Sequence, residues 1–260
     1  MSFRAKMEGA ARKQKSNIIV ALDFPYEKPE NRDNLLSKAQ HVLDLVNPYV
    51  CAVKFNHHLI LPLGTFEGVE KLVKKVHDSG LMAIMDCKVN DIGSTNQVIA
   101  QYYYAAGFDA LIANPFIGWD EGLQPIFEIA RRLNRGVILL VYMSHKGADE
   151  GYGQTTIDGL GKRVPQYISF AKQALKYGAD GAVVGATYPK KLKEVHDILR
   201  DKVPIYSPGI GAQGGEAKAA LDSGARYLIV GRAITGADDP AVSARKIRDS
   251  AKKKVDTIKG

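Results

Sequence analysis

Three charged side chains stand close together in the segment MDCKVNDIGST, residues 85–95. The carboxylates of Asp86 and Asp91 bracket the ammonium group of Lys88. A lysine held between carboxylates keeps its proton, which suits a general acid. The spacing therefore predicts a charged site in which the acidic neighbours of Lys88 fix its position and its charge.

Two further charged residues end earlier apolar segments: Asp23 in ALDF and Lys54 in AVKFN. Asp86 and Lys88 stand two residues apart, so on a strand both point to one side while Cys87 points to the other. If these segments are neighbouring strands, their charges share one cavity. The alternative is a ring of salt bridges with a purely structural role. The number of charges at three strand ends favours a functional site over this alternative.

A second group of residues suits a phosphate. The segment SPGIGAQGGE, residues 207–216, places glycines around Gln213 just before a predicted helix, where backbone N–H groups can approach an anion. The segment IVGRAI then places Gly231 and Arg232 after the next apolar run, and arginine can bind phosphate through two parallel hydrogen bonds. Together they predict a phosphate-binding site.

Eight short apolar segments have the character of strands. Their near-continuous apolar residues are typical of parallel strands covered on both faces. They span residues 17–24, 49–55, 81–88, 109–115, 136–143, 181–186, 203–209 and 227–231. Helical patterns lie between them, at residues 32–46, 66–80, 95–107, 120–134, 164–178, 189–201 and 215–224, with another helix at the C-terminus.

Strict alternation of strand and helix predicts a single (β/α)8 TIM barrel over residues 1–260, with a short basic N-terminal helix ahead of strand 1. A doubly wound open sheet is the alternative, but no GxGxxG fingerprint follows the first strand. The carboxyl ends of the strands form the catalytic face of such a barrel, and the loops after strands 7 and 8 often bind phosphate. All the polar residues above then meet at one opening.

The composition favours a soluble cytoplasmic protein. Apolar residues make up 45% and charged residues 25% of the chain, which is ordinary for a globular domain. The two cysteines form no CxxC, the apolar runs are too short to span a bilayer, and the N-terminus lacks the apolar stretch of a signal peptide. The net charge of +8 suits an anionic partner, but no nucleic-acid-binding motif accompanies it. The charge alone does not decide between nucleic acid and a phosphorylated small molecule. With the phosphate-binding residues above, we expect a small-molecule substrate as the partner, and neither nucleic acid nor membrane.

Other polar residues are less informative. His57 and His58 follow strand 2 without a partner at metal-ligand spacing. Ser144 and His145 are adjacent on an extended segment, where side chains point apart, so a nucleophile pair is not expected. Residues 144–167 form a long segment rich in glycine and polar residues, and this segment is a candidate for a mobile lid.

Together these motifs resemble one known family. MDCKVNDIGST is similar to the D-x-K-x-x-D-I signature of the orotidine 5′-phosphate decarboxylase family, and ALDF, AVKFN, SPGIGAQGG and VGRAI match its other motifs in order. The resemblance implies a barrel that removes CO2 from orotidine 5′-monophosphate to give UMP, the last step of de novo pyrimidine biosynthesis. It implies no metal and no organic cofactor, and a homodimer whose active sites are shared between subunits.

The resemblance also implies a role for each matching residue. Lys88 is the proton donor to C6 of the pyrimidine, and Asp86 lies beside the substrate carboxylate, where repulsion favours loss of CO2. The other residues bind the ribose (Asp23, Lys54), reach the neighbouring subunit's site (Asp91, Ile92, Thr95), contact the pyrimidine (Ser144), bridge base and phosphate (Gln213), or hold the phosphate (Gly231, Arg232), and Pro208 also binds the substrate.

Two other functions stay open at this point. A metal-dependent relative on the same barrel, such as a hexulose- or ketogulonate-phosphate lyase or decarboxylase, would use the carboxylates to hold Mg²⁺ and stabilise an enediolate. A non-catalytic nucleotide-binding or nucleic-acid-binding module would rely on its basic surface, and simple binding does not require the set Asp86, Lys88 and Asp91.

Overall fold

Eight parallel strands close into a barrel in the computed structural model, which describes residues 1–28, 31–211 and 215–252. The order around the barrel is β1-β10-β9-β8-β5-β4-β3-β2, and β6 and β7 form a separate antiparallel hairpin. The strands are β1 (Ile18–Ala21), β2 (Ala52–Phe55), β3 (Met82–Val89), β4 (Ala110–Ala113), β5 (Gly136–Tyr142), β6 (Thr155–Ile157), β7 (Arg163–Pro165), β8 (Gly181–Val184), β9 (Ile205–Pro208) and β10 (Tyr227–Val230). The predicted (β/α)8 barrel is confirmed, and the open doubly wound sheet is excluded.

Helices connect the barrel strands and cover their outer faces. Every residue of β1, β2, β4, β5, β8 and β10 is buried, which is why these strands read as continuous apolar runs. The helices are α1 (Phe3–Gln14), α2 (Arg32–Val46), α3 (His57–Leu63), α4 (Glu70–Asp78), α5 (Gly93–Ala105), α6 (Gln124–Arg132), α7 (Ala148–Tyr152), α8 (Gln166–Tyr177), α9 (Pro189–Leu199), α10 (Gly215–Asp222), α11 (Arg232–Thr235) and α12 (Pro240–Lys252).

The predicted N-terminal helix α1 covers the amino-terminal end of the barrel. Its buried Phe3 lies against Gly136, the first residue of β5, where a Cβ atom would stand 2.3 Å from the phenyl ring. Lys6 Nζ donates to the carbonyl oxygen of Asn134 at 3.3 Å. The opposite end of the barrel, where the strands finish, is therefore the open one.

The sequence predicted all eight barrel strands and most helices. Four glycines that follow the ends of α4, α5, α8 and α10 have positive φ, a conformation that glycine adopts without strain. They are Gly80, Gly107, Gly178 and Gly224. Helices α3, α7 and α11 and the β6–β7 hairpin were not predicted. Residues 144–167, the candidate lid, contain α7 and this hairpin, and a lid role for them stays a prediction.

None of the helices within the described ranges combines the length and the hydropathy that a bilayer span requires.

Candidate active site

A cavity of about 780 Å³ opens at the carboxyl ends of the barrel strands. Four of its charged side chains come from β1, β2 and β3 or the residues that follow them, namely Asp23, Lys54, Asp86 and Lys88. Two more, Glu216 and Arg232, come from α10 and α11. These three strands are neighbours in the barrel, so side chains far apart in the sequence share one opening. Apolar side chains from β4, β5, β8 and β10 complete the wall: Ile112, Leu140, Val183 and Ile229.

Asp86 is the centre of the charged cluster. Its two carboxylate oxygens each accept a hydrogen bond from a different lysine, one from Lys54 Nζ at 2.8 Å and one from Lys88 Nζ at 2.8 Å. Lys54 Nζ also lies 3.5 Å from Asp23 Oδ1. The charges thus alternate in sign along a chain of four residues, and both ammonium groups face the cavity.

Burial strengthens the electrostatic interactions between the charged groups of this cluster. Lys54 is 5% exposed and Asp86 is 7% exposed. Burial alone would lower the pKa of Lys54, but the carboxylates of Asp86 and Asp23 outweigh it and hold that pKa above its ordinary value. For Asp86, burial would raise the pKa, but Lys54 and Lys88 outweigh it and hold that pKa below its ordinary value. Both groups are therefore charged at neutral pH.

The lysine that lies between two carboxylates within one chain is Lys54, and not Lys88 as the sequence suggested. Lys54 is on β2, between β1 and β3, and so it reaches the acidic residues of both neighbours. Among the described carboxylates, Asp86 is the one within ion-pair distance of Lys88. Asp91 does not join the cluster within a single chain.

Lys88 has an unusual backbone conformation, with a φ of 47°. The pairing of β3 with β4 shifts register between Met85 and Val89, so Lys88 lies in a bulge. Simple alternation along a regular strand therefore does not account for its direction. A non-glycine residue in the left-handed region stores strain that the surrounding structure must hold, and such strain is common at functional sites.

Asn56 is a site residue that the sequence analysis did not single out. It lines the cavity, and its Nδ2 donates to Asp23 Oδ1 at 2.6 Å. Its Oδ1 accepts from His58 N at 2.9 Å and so caps the start of α3. One side chain therefore fixes both Asp23 and the helix that follows β2. Only the cap could have been read from the sequence, as an asparagine before a helix.

The expected phosphate-binding residues lie at the ends of β9 and β10. Pro208, Gly231 and Arg232 all line the cavity, and Gln213 lies outside the described residues. A Cβ atom on Gly231 would stand 3.1 Å from Asp23 Oδ2, so a small residue there keeps β10 close to the charged cluster. Arg232 is exposed, and its guanidinium is therefore accessible to an anion entering the cavity.

Ser144 follows β5 and lines the cavity beside Met143. Its neighbour His145 is exposed, as are His57 and His58. Cys87 is not among the cavity residues, and its Sγ lies 3.5 Å from the carbonyl oxygen of Ile112. Within the described ranges, no three His, Cys, Asp or Glu side chains form a group that could hold a metal ion.

Asp91, Ile92 and Thr95 lie outside the cavity of their own chain. Asp91 Oδ1 accepts a hydrogen bond from Ile92 N at 2.7 Å. The side-chain amide of the buried Asn96 makes two hydrogen bonds to the Asp91 backbone: Asn96 Oδ1 accepts from Asp91 N at 3.1 Å, and Asn96 Nδ2 donates to the carbonyl oxygen of Asp91. Asn96 Nδ2 also donates to the carbonyl oxygen of Gly122 at 2.9 Å. The turn that carries Asp91 and Ile92 is therefore fixed, while the Ile92 side chain faces solvent at 63% exposure.

Known proteins are similar to this chain in both sequence and fold. The model of the orotidine 5′-phosphate decarboxylase / HUMPS family matches residues 16–247. The orotidine 5′-phosphate decarboxylase of Pyrococcus abyssi is 36% identical over 233 residues, which cover 89% of this chain and 97% of that protein. The crystal structure of the same enzyme from Pyrococcus horikoshii OT3 has a TM-score of 0.72 at 32% identity and covers 90% of this chain and 98% of its own. The enzyme of Methanocaldococcus jannaschii, complexed with the inhibitor BMP, has a TM-score of 0.73 at 29% identity and covers 91% and 98%. The chain belongs to the orotidine 5′-phosphate decarboxylase / HUMPS family.

Proposed function

We propose that this chain is a carboxy-lyase that converts orotidine 5′-monophosphate to UMP and CO2. The observation that carries the proposal is the engagement of both oxygens of the buried Asp86 by two ammonium groups, Lys54 and Lys88, at the wall of the cavity. Proteins of the same family at 36% identity carry this activity in their names. A nucleotide-binding module would have no use for buried charges that cost free energy to desolvate.

The chemistry follows from the positions of these charges. In orotidine 5′-monophosphate the bond from C6 to the carboxylate breaks, CO2 leaves, and the electron pair stays on C6. Lys88, the more exposed of the two lysines, then donates a proton from Nζ to C6 and regains it from solvent. A fixed ammonium beside a developing carbanion lowers the barrier because it needs no reorganisation during the reaction.

Asp86 acts on the substrate rather than on the product. Its negative charge would lie beside the substrate carboxylate, and that repulsion is relieved when CO2 leaves. The binding free energy that offsets this repulsion comes from the far end of the substrate. Asp23 and Lys54 suit the ribose hydroxyls, Gly231 and Arg232 suit the phosphate, and Ser144 lies on the apolar side of the cavity that suits the pyrimidine.

We further infer a homodimer that completes each site. Ile92, Val98 and Tyr102 are exposed apolar residues on or beside α5, at 63%, 47% and 58% exposure. Phe66, at 49% exposure, packs edge-to-face on Tyr102 with ring centroids 6.0 Å apart. A second copy on this face would cover them and would bring Asp91 of the partner subunit towards Lys88, which contacts one carboxylate, that of Asp86, among the described residues of its own chain.

The metal-dependent alternative is disfavoured by the same geometry. A carboxylate whose two oxygens each accept a short hydrogen bond from an ammonium is poorly placed to bind Mg²⁺, which needs free oxygen ligands. We infer that residues 1–260 act as one catalytic domain without a metal or organic cofactor.

One assay separates these functions. Purified protein is mixed with orotidine 5′-monophosphate, and the loss of substrate absorbance is followed with and without excess EDTA. Equal rates in both conditions support the proposal, and a Lys88→Ala variant serves as the blank for contaminating enzyme. Absence of turnover by the unmodified chain would reject the proposal, and loss of turnover with EDTA would favour the metal-dependent reaction.

A further inference from the structure

The ammonium group of Lys191 lies among three tyrosine rings beside the active-site opening. Its Nζ is 4.3 Å from the ring centroid of Tyr142, 5.4 Å from that of Tyr167 and 5.7 Å from that of Tyr188. The same Nζ donates to Tyr142 Oη at 2.7 Å and to the carboxylate of Asp149. Lys191, in the first turn of α9, therefore joins the end of β5 to α7.

Two neighbours of Lys191 bind the same segment by its backbone. Thr187 Oγ1 donates to the carbonyl oxygen of Ser144 at 3.0 Å, and Tyr188 Oη donates to the carbonyl oxygen of His145 at 3.0 Å. The turn of residues 144–149 is thus held at its start by Thr187 and Tyr188 and at its end by Lys191. These contacts come from the segment after β8, which is next to β5 in the barrel.

Ser144 is closely packed at the start of this turn. A Cβ atom on Gly185 would stand 2.7 Å from Ser144 Cα, so the two backbones touch only because residue 185 is glycine. On another side, a Cβ atom on Gly209 would stand 3.4 Å from Ser144 Cβ. The place of Ser144 in the cavity wall is therefore set by the elements around it.

We propose that Lys191 is a positioning residue, which acts through the turn of residues 144–149 to hold Ser144 in place over the substrate. The inference rests on the proposed function, in which Ser144 contacts the pyrimidine. Its physical basis is a charged hydrogen bond to Asp149 together with contacts between a cation and aromatic rings, each of which strengthens when water is partly excluded. The Lys191 side chain is 24% exposed and that of Asp149 is 68% exposed, so water is excluded from the ring contacts more than from the ion pair.

Lys191 keeps its charge in this environment. Burial would lower its pKa, but Asp149 and Tyr142 outweigh it and hold that pKa above its ordinary value. The interaction therefore persists across the pH range in which the enzyme would work. A neutral side chain of similar length would fill the same space without tying α7 to α9.

The kinetic test compares Lys191→Met with Lys193→Met. Methionine keeps the apolar stem and removes the ammonium, and Lys193 is a matched control on α9, at 57% side-chain exposure and paired with Asp197. We expect kcat/KM for orotidine 5′-monophosphate to fall about tenfold in the first variant and to change less than twofold in the second. In a Ser144→Ala background, Lys191→Met should cause little further loss, because both changes act on one contact. Additive losses would overturn the proposal.

A second measurement does not depend on turnover. The amide of Ala148 donates to the carbonyl oxygen of His145 at 3.1 Å, within the turn that Lys191 holds. Hydrogen exchange in peptides covering residues 144–152 should become about tenfold faster in Lys191→Met and stay unchanged in Lys193→Met. Unchanged exchange in Lys191→Met would reject the proposal even if the wild-type chain is an active decarboxylase.

A milder variant covers the case in which Lys191→Met does not fold. Tyr188→Phe keeps the ring and removes one hydrogen bond to the same turn, so exchange there should rise about threefold. No rise would count against the proposal. If the wild-type chain proves inactive on orotidine 5′-monophosphate while exchange responds as expected, the proposed function fails and the role of Lys191 in holding the turn stands.

Discussion

Replacing Lys54 with methionine tests whether the charged cluster stabilises the fold more strongly than an exposed ion pair because it is buried. Methionine fills most of the space of the lysine stem, but it leaves Asp86 buried with one ammonium neighbour in place of two. Removing one partner of a buried ion pair costs about 3–5 kcal/mol, because the other charge stays desolvated. Lys88 still contacts Asp86 at 2.8 Å, so we expect a loss near the lower limit, about 3 kcal/mol.

The matched control is Lys74→Met. Lys74 Nζ lies 2.7 Å from Asp78 Oδ2, a distance much like that of Lys54 from Asp86, but its side chain is 74% exposed. An exposed pair on a helix contributes about 0.5 kcal/mol or less. The free energy of unfolding, measured by urea denaturation at pH 7.5, should therefore fall about six times more in Lys54→Met than in the control. Similar losses in the two variants would refute the argument from burial.

The pH dependence of the free energy of unfolding provides a second test of the same prediction. The pKa of Asp86 is lowered in the folded state, so its ionisation stabilises the protein above the unfolded pKa and this contribution disappears as the pH falls through the folded pKa. Removing Lys54 raises the pKa of Asp86. The deficit of Lys54→Met should therefore be largest at neutral pH and shrink as the pH is lowered towards 4. A deficit that is constant with pH would point to packing instead of charge.

Three further predictions concern the other parts of the site. Arg232→Ala should raise KM about 10- to 100-fold, as expected for one lost charged hydrogen-bond pair, and an unchanged KM would reject the phosphate assignment. Asp91→Asn should be inactive alone, but an equimolar mixture with Lys88→Ala should recover about a quarter of wild-type activity, because half of the dimers then hold one intact site. No recovery would argue against active sites shared between subunits. Gly185→Ala should lower kcat/KM because the added Cβ atom displaces Ser144. The control is Gly151→Ala, which should leave kcat/KM unchanged because a Cβ atom there meets nothing within 4 Å. Equal activity in the two variants would contradict the close packing of Ser144.

The barrel was predictable because its signals are local. Each strand is a short apolar run, and each helix repeats its apolar residues on one face, so alternation of the two patterns indicates the fold. The β6–β7 hairpin was missed because its strands have three residues each and only one of the six, Val164, is buried. Helix α3 was missed because HHLILPL contains Pro62 and follows a strand directly, so its apolar residues read as part of an irregular segment.

The sequence was sufficient to predict which side chains share the site. Strand ends meet at one face of a barrel, and that rule alone brings Asp23, Lys54, Asp86 and Lys88 together. The same barrel places β2 between β1 and β3, so the position of Lys54 between two carboxylates follows from the predicted fold, whereas the local spacing of Asp86, Lys88 and Asp91 pointed to Lys88 instead.

The direction of Lys88 and the contacts of Asn56 were also beyond local patterns. The direction of Lys88 depends on a bulge that forms only when β3 pairs with β4. The contact of Asn56 with Asp23 joins residues 33 positions apart. Both features arise from tertiary structure, and the resemblance to a known family is what gave the individual residues their proposed roles.

The central claim is that the ammonium group of Lys88 quenches negative charge at C6 of the pyrimidine. Single-turnover decarboxylation of orotidine 5′-monophosphate by a saturating excess of Lys88→Ala tests it most directly, with UMP affinity measured on the same preparation and Lys74→Ala as the control. We predict that the rate falls at least about 1,000-fold, while the affinity for UMP changes less than about tenfold. A rate within about tenfold of wild type, with UMP binding intact, would contradict the claim.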